Sequence, residues 1–508
     1  MLKRLRLPLT LFLALLVPAE AAILLVAWNR RPGVVPVVRG VASRKGPATT
    51  VDSDEVDRFV QESMRRAGIP GVGLTIVKGG QVLHTAGYGR NADGSPVTPD
   101  TVMAIASLSK SFTATAVMQL VARGTVSLDA QVRQYLPEFQ PVDPRASRIT
   151  VRQLLNHSSG LTFESLPGAN VRGRSPLHRS LEERVAWLSG ATLRAEPGTQ
   201  TTYDNFGYEM LALLVERVSG KAFGTYLRDS VFMPLGMSSS RSFLTTRDDA
   251  TVPSGHMLMF GFPVRWPMPA DLVAGAGGVV SSANDLARWL TFQATNGRTL
   301  DGNQLLPPEI VAGMHAASSP GSDYGFGWRQ AQLADGTTYY HHSGRIVSYA
   351  AHEALYPATG IAYAFVTNGL DPIPAGGAAI IAGLTAIATG RPPAPAGYSA
   401  AVLDHIVIVA AILALTIGIA GVVRSGEWAT RHAAGSLFRA VVRCLPYVAV
   451  AGAVLFGRLV TVPWQVWWET WPPFAVAYPI VAVAVTSIVL SRAVRLAAIR
   501  NRAISSRS

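Results

Sequence analysis

From Ile406 to Val423 the chain runs eighteen residues without a charge. That is about the length a helix needs to cross the hydrocarbon of a bilayer. Two further apolar stretches come after it, about 444–462 and about 474–490. Such a chain is read in two parts, one built for water and one for lipid. The composition agrees: 49% of the residues are hydrophobic and only 15% are charged, apolar for an enzyme that lives wholly in water. Residues 1–31 hold another apolar run, Leu7 to Trp28, behind Lys3, Arg4 and Arg6. It reads either as a cleaved signal peptide, with Ala19-Glu20-Ala21 as the cut site, or as a retained signal-anchor helix.

The net charge of +13 sits at the two ends. Residues 1–31 carry +4 and residues 424–508 carry +8, so the large middle is close to neutral. That distribution argues against a nucleic-acid surface on the middle domain. Arg424, Arg431, Arg439 and Arg443 come after the first C-terminal apolar segment, and five more arginines lie in the tail. The loop after the second segment has no lysine or arginine, but carries Trp464, Trp467, Trp468 and Trp471. Positive loops stay in the cytoplasm and tryptophans gather at the interface. The large domain is therefore expected outside, with the expected location the bacterial inner membrane, multi-pass.

The expected organisation has six parts: the N-terminal segment 1–31, a linker 32–51 and a catalytic-sized domain 52–390. A Pro-rich linker 391–401, three transmembrane helices within 402–491 (about 406–423, 444–462 and 474–490) and a basic cytoplasmic tail 492–508 complete it. Cys444 is the single cysteine, which excludes an intrachain disulfide and a thiolate metal cluster.

Within the middle domain, Asp52 to Ala67 reads as an amphipathic helix. Gly73–Val77 and Gln81–Gly87 read as strands joined through Lys78-Gly79-Gly80, a hairpin signal. A second helical run has Leu108, Phe112, Ala116, Val117, Leu120 and Val121 at helical spacing, with Gly124 as its C-cap. Leu211, Leu214, Val215 and Val218 mark another helix ending at Gly220. Thr337 to Tyr340 reads as a strand leading into His341-His342-Ser343-Gly344, and Ile361 to Thr367 as its antiparallel partner.

Three short patterns carry chemistry. Ser107 and Lys110 are three apart, one turn of a helix, on one face. A serine hydroxyl attacks only when something takes its proton, and a lysine beside it is able to. Lysine is scarce here, only five residues in the chain, and the neighbours of Lys110 are small or apolar. Tyr203 and Asn205 are two apart, so an extended backbone turns both to one side. A phenol beside an ammonium exchanges protons, and the Asn205 amide can hold a substrate carbonyl or the lysine. His157, before Ser158-Ser159-Gly160, reads as the holder of a turn. The pair His341-His342 lacks the carboxylate spacing of a metal site, so no metal or cofactor is expected. Tyr324 to Trp328, aromatic and glycine-interleaved, reads as packing.

Taken in order, Ser107-x-x-Lys110, Tyr203-x-Asn205 and His342-Ser343-Gly344 resemble the serine beta-lactamase and penicillin-binding superfamily, in its class C-like branch. Leu154 to Leu161, Glu196-Pro197-Gly198 and Pro234-Leu235-Gly236-Met237 extend the likeness over residues 52 to 388. The resemblance implies a mixed α/β (α+β) fold, an antiparallel sheet flanked by helices with a helical subdomain. It implies Ser107 as acylated nucleophile, Lys110 and Tyr203 as proton-transfer pair, and Asn205, His342, Ser343, Gly344 and Arg345 at the substrate. The N–H groups of Ser107 and Arg345 would form the oxyanion hole. His342 stands where many relatives carry lysine and gives a weaker, pH-dependent cation, for which Arg345 offers a substitute at the rim.

The chain is thus expected to be a membrane-anchored serine hydrolase for an amide or ester, with a peptide or D-amino-acid amide first among substrates. Esterase or beta-lactamase activity on the same site is the alternative. A domain of this kind with three C-terminal helices also resembles peptidases that trim acyl-D-amino-acid groups from secreted natural products, where the helices would receive a lipid tail. The expected partners are a small-molecule or peptide substrate, lipid-tailed or cell-wall derived, and the bilayer, with no nucleic acid. A non-catalytic sensor of cell-wall fragments is the reading from another class.

Overall fold

The computed structural model describes residues 36–40, 51–162, 165, 180–245, 254–268, 273–319, 321–370, 375–394, 401–449, 468 and 471–505. The N-terminal segment 1–31 and residues 450–462 of the second apolar stretch, about 444–462, lie outside the described residues.

Seven strands form the main sheet: β1 Val37–Arg39, β2 Gly71–Lys78, β3 Gln81–Gly89, β4 Arg329–Gln332, β5 Thr338–Ile346, β6 Tyr349–Tyr356 and β7 Ile361–Thr367. Their order across the sheet is β1-β3-β2-β7-β6-β5-β4, and every neighbouring pair is antiparallel. The β2–β3 hairpin turns through Gly79-Gly80, as its sequence signal required, with Lys78 opposite Gln81.

Contrary to the sequence expectation, Ile361–Thr367 does not pair with the strand carrying His342. A separate strand, β6, lies between them, with His342 opposite Glu353 and Glu353 opposite Ala364. His352 and Glu353 break the apolar pattern of β6 and hide it from a periodicity reading. In the fold both are buried at the middle of the sheet.

Helices cover both faces. Helix α1, Ser53–Ala67, is capped by Asp52, whose carboxylate accepts from the N–H groups of Asp54 and Glu55. Helix α2, Ser109–Ala122, carries the lysine of the first motif, and α3, Phe206–Ser219, comes directly after the second. Helix α4, Ala283–Ala294, packs on the sheet behind α2, and α5, Ala375–Ala388, closes the domain. Val56, Phe59, Val60 and Met64 of α1 join Ile380 and Leu384 of α5 against Tyr356, Tyr363 and Phe365 on one sheet face. The other face supports α2, α3 and α4 in a second, larger core. This is the mixed antiparallel architecture the sequence implied.

Helix α2 differs from the amphipathic helix its spacing suggested. Every residue from Ser109 to Leu120 is buried, so it is a central helix enclosed on all sides. Its threonines and serines bond backbone carbonyls instead of water; Thr113 Oγ1, for example, donates to Gly275 O at 2.7 Å.

Helices α6, Ala401–Val423, and α7, Pro472–Ser505, are long and apolar enough to cross a membrane. They contain the first and third expected segments. They pack along small residues: a Cβ on Gly418 would stand 3.0 Å from Ala484 O. Trp471 Nε1–H donates to Asp404 Oδ1 at 2.6 Å, tying the start of α7 to the start of α6.

Candidate active site

Ser107 belongs to a 3-10 turn, Ala106–Leu108, that runs directly into α2. Ala106 adopts φ +49°, a left-handed conformation that costs an alanine roughly 1–2 kcal/mol. The turn is held by Ser109, whose hydroxyl donates to Ala106 O at 2.6 Å and accepts from Val279 N–H at 2.9 Å. It is also held from the sheet. A Cβ added to Gly344 would stand 2.4 Å from Ile105 O and 3.1 Å from Ser107 N. Only glycine lets β5 approach the turn this closely, so the backbone at Gly344 and Arg345 lies beside the serine.

Lys110 is fully buried. Its Nζ donates to Asn205 Oδ1 at 2.8 Å and to Ala276 O at 2.9 Å, and stands 3.4 Å from Ser107 Oγ. Two N–H groups are thus taken by two acceptors. What remains on the nitrogen, a third hydrogen or a lone pair, faces the serine hydroxyl. Asn205 spends its carbonyl on the lysine and keeps its amide N–H groups for another acceptor.

Tyr203 is 40% exposed at the mouth of this group, with Lys110 Nζ 4.8 Å from its ring centre. Among the described residues no hydrogen bond joins its hydroxyl to Ser107 or Lys110. Its ring is fixed from behind by His157, 4.5 Å between centres. His157 is buried with φ +59° and packs also on Tyr208 and Tyr324. Burial pushes its imidazole below the usual range despite the Asp204 carboxylate nearby. His157 thus shapes the turn and backs Tyr203.

The residues of the third motif divide between the two faces of β5. His342 faces the site but is buried and fully bonded. Nδ1 lies 2.9 Å from its neighbour's carbonyl, Ser343 O, and Nε2 lies 2.9 Å from the Tyr324 hydroxyl. Neutral imidazole satisfies both, donating from Nδ1 and accepting at Nε2. Burial, reinforced by the charge of Lys110, holds its pKa well below the histidine range. The expected pH-dependent cation is therefore a neutral ring.

Ser343 turns the other way, its hydroxyl 2.8 Å from His352 Nδ1. Strand alternation sends the Arg345 side chain to that same face. The Ser343 hydroxyl is thus engaged by His352, and what stands beside the serine is the backbone at Gly344. The sequence reading missed Arg329, at the start of β4. Its guanidinium lies 5.9 Å from the Tyr203 ring centre and 5.2 Å from that of Tyr324, and pairs with Asp323 at 2.7 Å. Nothing in the sequence separates this arginine from the chain's other arginines; only the meeting of β4 with Tyr203 does.

Comparison with known proteins adds the family. A model of the family described as Beta-lactamase matches residues 56–386. The chain belongs to that family. The beta-lactamase family is one of serine hydrolases, and its match encloses every residue of the three motifs. D-alanyl-D-alanine-carboxypeptidase/endopeptidase AmpH of Escherichia coli is 31% identical over 242 residues, 47% of this chain and 61% of that protein. The chain thus spans about three fifths of that relative's length. Penicillin-binding protein 4 of Amycolatopsis lactamdurans is 28% identical over 59% of this chain and 81% of its own. Among solved structures, the octameric penicillin-binding protein homologue from Pyrococcus abyssi superposes with a TM-score of 0.56 and 28% identity. It covers 68% of this chain and 78% of that one.

Proposed function

We propose that this beta-lactamase-family domain cleaves an amide or ester next to a substrate carboxylate, through an acyl-enzyme on Ser107. The observation that carries the reading is Lys110 Nζ, held by Asn205 and Ala276 and facing Ser107 Oγ. Ser107 Oγ attacks the carbonyl carbon while its proton passes to the Lys110–Tyr203 pair. The N–H groups of Ser107 and Arg345 receive the oxyanion. The proton then goes to the leaving amine or alkoxide as the bond to carbon breaks. Water attacks the ester in the second half, loses its proton to the same pair, and frees the serine.

Asn205, through its amide N–H, holds the substrate carbonyl. Arg329 supplies the cation for the carboxylate, in place of His342 and Arg345. A peptide substrate is favoured by the relatives, one named a carboxypeptidase/endopeptidase and another a penicillin-binding protein. We read the C-terminal helices as membrane anchors, on their length and apolar composition. The clustering of arginines after α6 and in the tail favours a domain facing outward.

The test is covalent labelling of membranes with a fluorescent penicillin and a fluorescent fluorophosphonate in parallel. Wild type should label and Ser107→Ala should not. Equal labelling of both, or none of wild type by either probe, would leave the sensor reading standing instead. The preferred probe separates peptidase or beta-lactamase chemistry from esterase chemistry. Protease added to intact spheroplasts should remove the domain if it faces outward.

A further inference from the structure

Glu353 lies at the middle of β6, completely buried, beneath the turn that carries Ser107. Among the described residues no cation bonds it. Trp289 Nε1–H of α4 donates to Oε2 at 2.9 Å, and Oε1 is 3.2 Å from Ser111 Oγ on α2. The Ser111 hydroxyl in turn reaches Leu108 O at 2.7 Å. Leu108 is the residue directly after the serine nucleophile.

The hydrogens decide the state of this group. Ser111 has one, and the short bond to Leu108 O uses it. The contact between Ser111 Oγ and Glu353 then needs its hydrogen from the carboxyl. A neutral Glu353 completes an unbroken chain, Trp289 to Glu353 to Ser111 to Leu108, with every donor and acceptor satisfied. Independently, burial pushes this carboxyl up to about 8. The loop before β4 presses on the backbone of Ser111: a Cβ on Gly327 would meet Ser111 Cα at 2.6 Å.

We propose that Glu353, as the neutral acid, is a positioning residue for the nucleophile, fixing the Leu108 carbonyl through Ser111 and with it the 3-10 turn that aims Ser107 at Lys110. The inference rests on the acyl-enzyme reading of the site. Its consequence is a loss of geometry in alkali. When Glu353 gives its proton to solvent, the carboxylate recruits the Ser111 hydroxyl. Leu108 O loses that donor, and the turn is released. The described groups facing Glu353 offer it no alternative partner: His342 from β5, neutral and bonded to Tyr324; Ala364 from β7; and Trp289 from α4. Lys110, adjacent to Ser111 on α2, is engaged with Asn205 and Ala276.

The experiment is the rate of fluorophosphonate labelling of the full-length protein in membranes from pH 6 to pH 10, for wild type, Glu353→Gln, Ser111→Ala and the double variant. Wild type should lose about tenfold in rate above pH 8 as one proton leaves, the scale of a small misplacement of a reacting group. Glutamine accepts from Trp289 and donates to Ser111 as the neutral acid does. Its rate at pH 7 should stay within about threefold of wild type, and its alkaline fall should vanish. Ser111→Ala should slow labelling at pH 7, and adding Glu353→Gln to it should change nothing further. The same alkaline fall in wild type and Glu353→Gln, or additive effects in the double variant, would overturn the positioning role while leaving the enzyme reading intact. Absence of labelling in wild type at every pH would overturn both. Thermal midpoints of all four proteins separate slower labelling from unfolding.

Discussion

Asn205 Oδ1 accepts a 2.8 Å hydrogen bond from Lys110 Nζ, across 95 residues of sequence. This bond joins the first motif to the second and points the remaining face of the lysine nitrogen at Ser107. Lys110→Met removes a buried nitrogen while keeping the length of the side chain. Acylation should fall by roughly 10² to 10⁴, the usual worth of a positioned proton carrier. Stability should fall far less than acylation does, by roughly 1–3 kcal/mol for each buried acceptor, Asn205 Oδ1 and Ala276 O, left without its donor. Probe-labelling rates and thermal midpoints of the one variant check both. A parallel loss of both would make Lys110 a structural residue.

Gly344→Ala forces a methyl to within 2.4 Å of Ile105 O. The contact is with backbone on one side and a sheet strand on the other, so neither yields easily. Overpacking of this kind costs roughly 1–3 kcal/mol. The strand should shift away from Ser107 N and acylation should fall more steeply than stability does. Denaturant midpoints and labelling rates measured together test it, and a fully active Gly344→Ala would refute the close approach.

The stability of the domain should depend on Glu353 in a defined direction. Its carboxyl rises from 4.5 to about 8 on folding, so the folded chain holds the proton more tightly than the unfolded one. The resulting stabilisation is complete below about pH 4.5 and is lost as pH climbs to about 8, on the order of 5 kcal/mol. Glu353→Gln has no such proton to lose. The gap in unfolding free energy should therefore widen in favour of the glutamine variant between those values and stay constant above them. Parallel curves from denaturant titrations at several pH values would contradict this.

Carboxylate recognition should depend on Arg329 and not on His342. Arg329→Gln should raise KM for a carboxylate-bearing peptide about tenfold or more and leave its amidated analogue unchanged. A charge-assisted bond of roughly 1.5–3 kcal/mol sets that scale. The carboxylate-bearing substrate should show no histidine inflection between about pH 5.5 and 7.5, the range around an unperturbed imidazole, because burial keeps His342 neutral there. An inflection near pH 6.5 that disappears in His342→Gln would restore the histidine as the cation. Asp323→Asn, by freeing the arginine of its carboxylate partner, should lower KM for the same peptide.

The sequence alone determined the composition and spacing of the first two motifs, whose residues the fold brings together, and that the chain has a lipid-length apolar region. Those signals are local. Charge-free runs, turn glycines and a scarce lysine among apolar neighbours declare themselves within a few residues. The helix beginning at Asp52 and the Gly79-Gly80 hairpin are legible for the same reason. The third motif was legible only in part. His342, Ser343 and Arg345 are close in sequence, but strand alternation and burial assign them different work: a neutral ring in the site, a hydroxyl on the far face, a backbone beside the serine. Arg329, Glu353 and the intervening strand β6 were decided by tertiary structure alone. Each becomes meaningful through a neighbour far away in the chain, and periodicity carries no information about which distant groups will share a dry core.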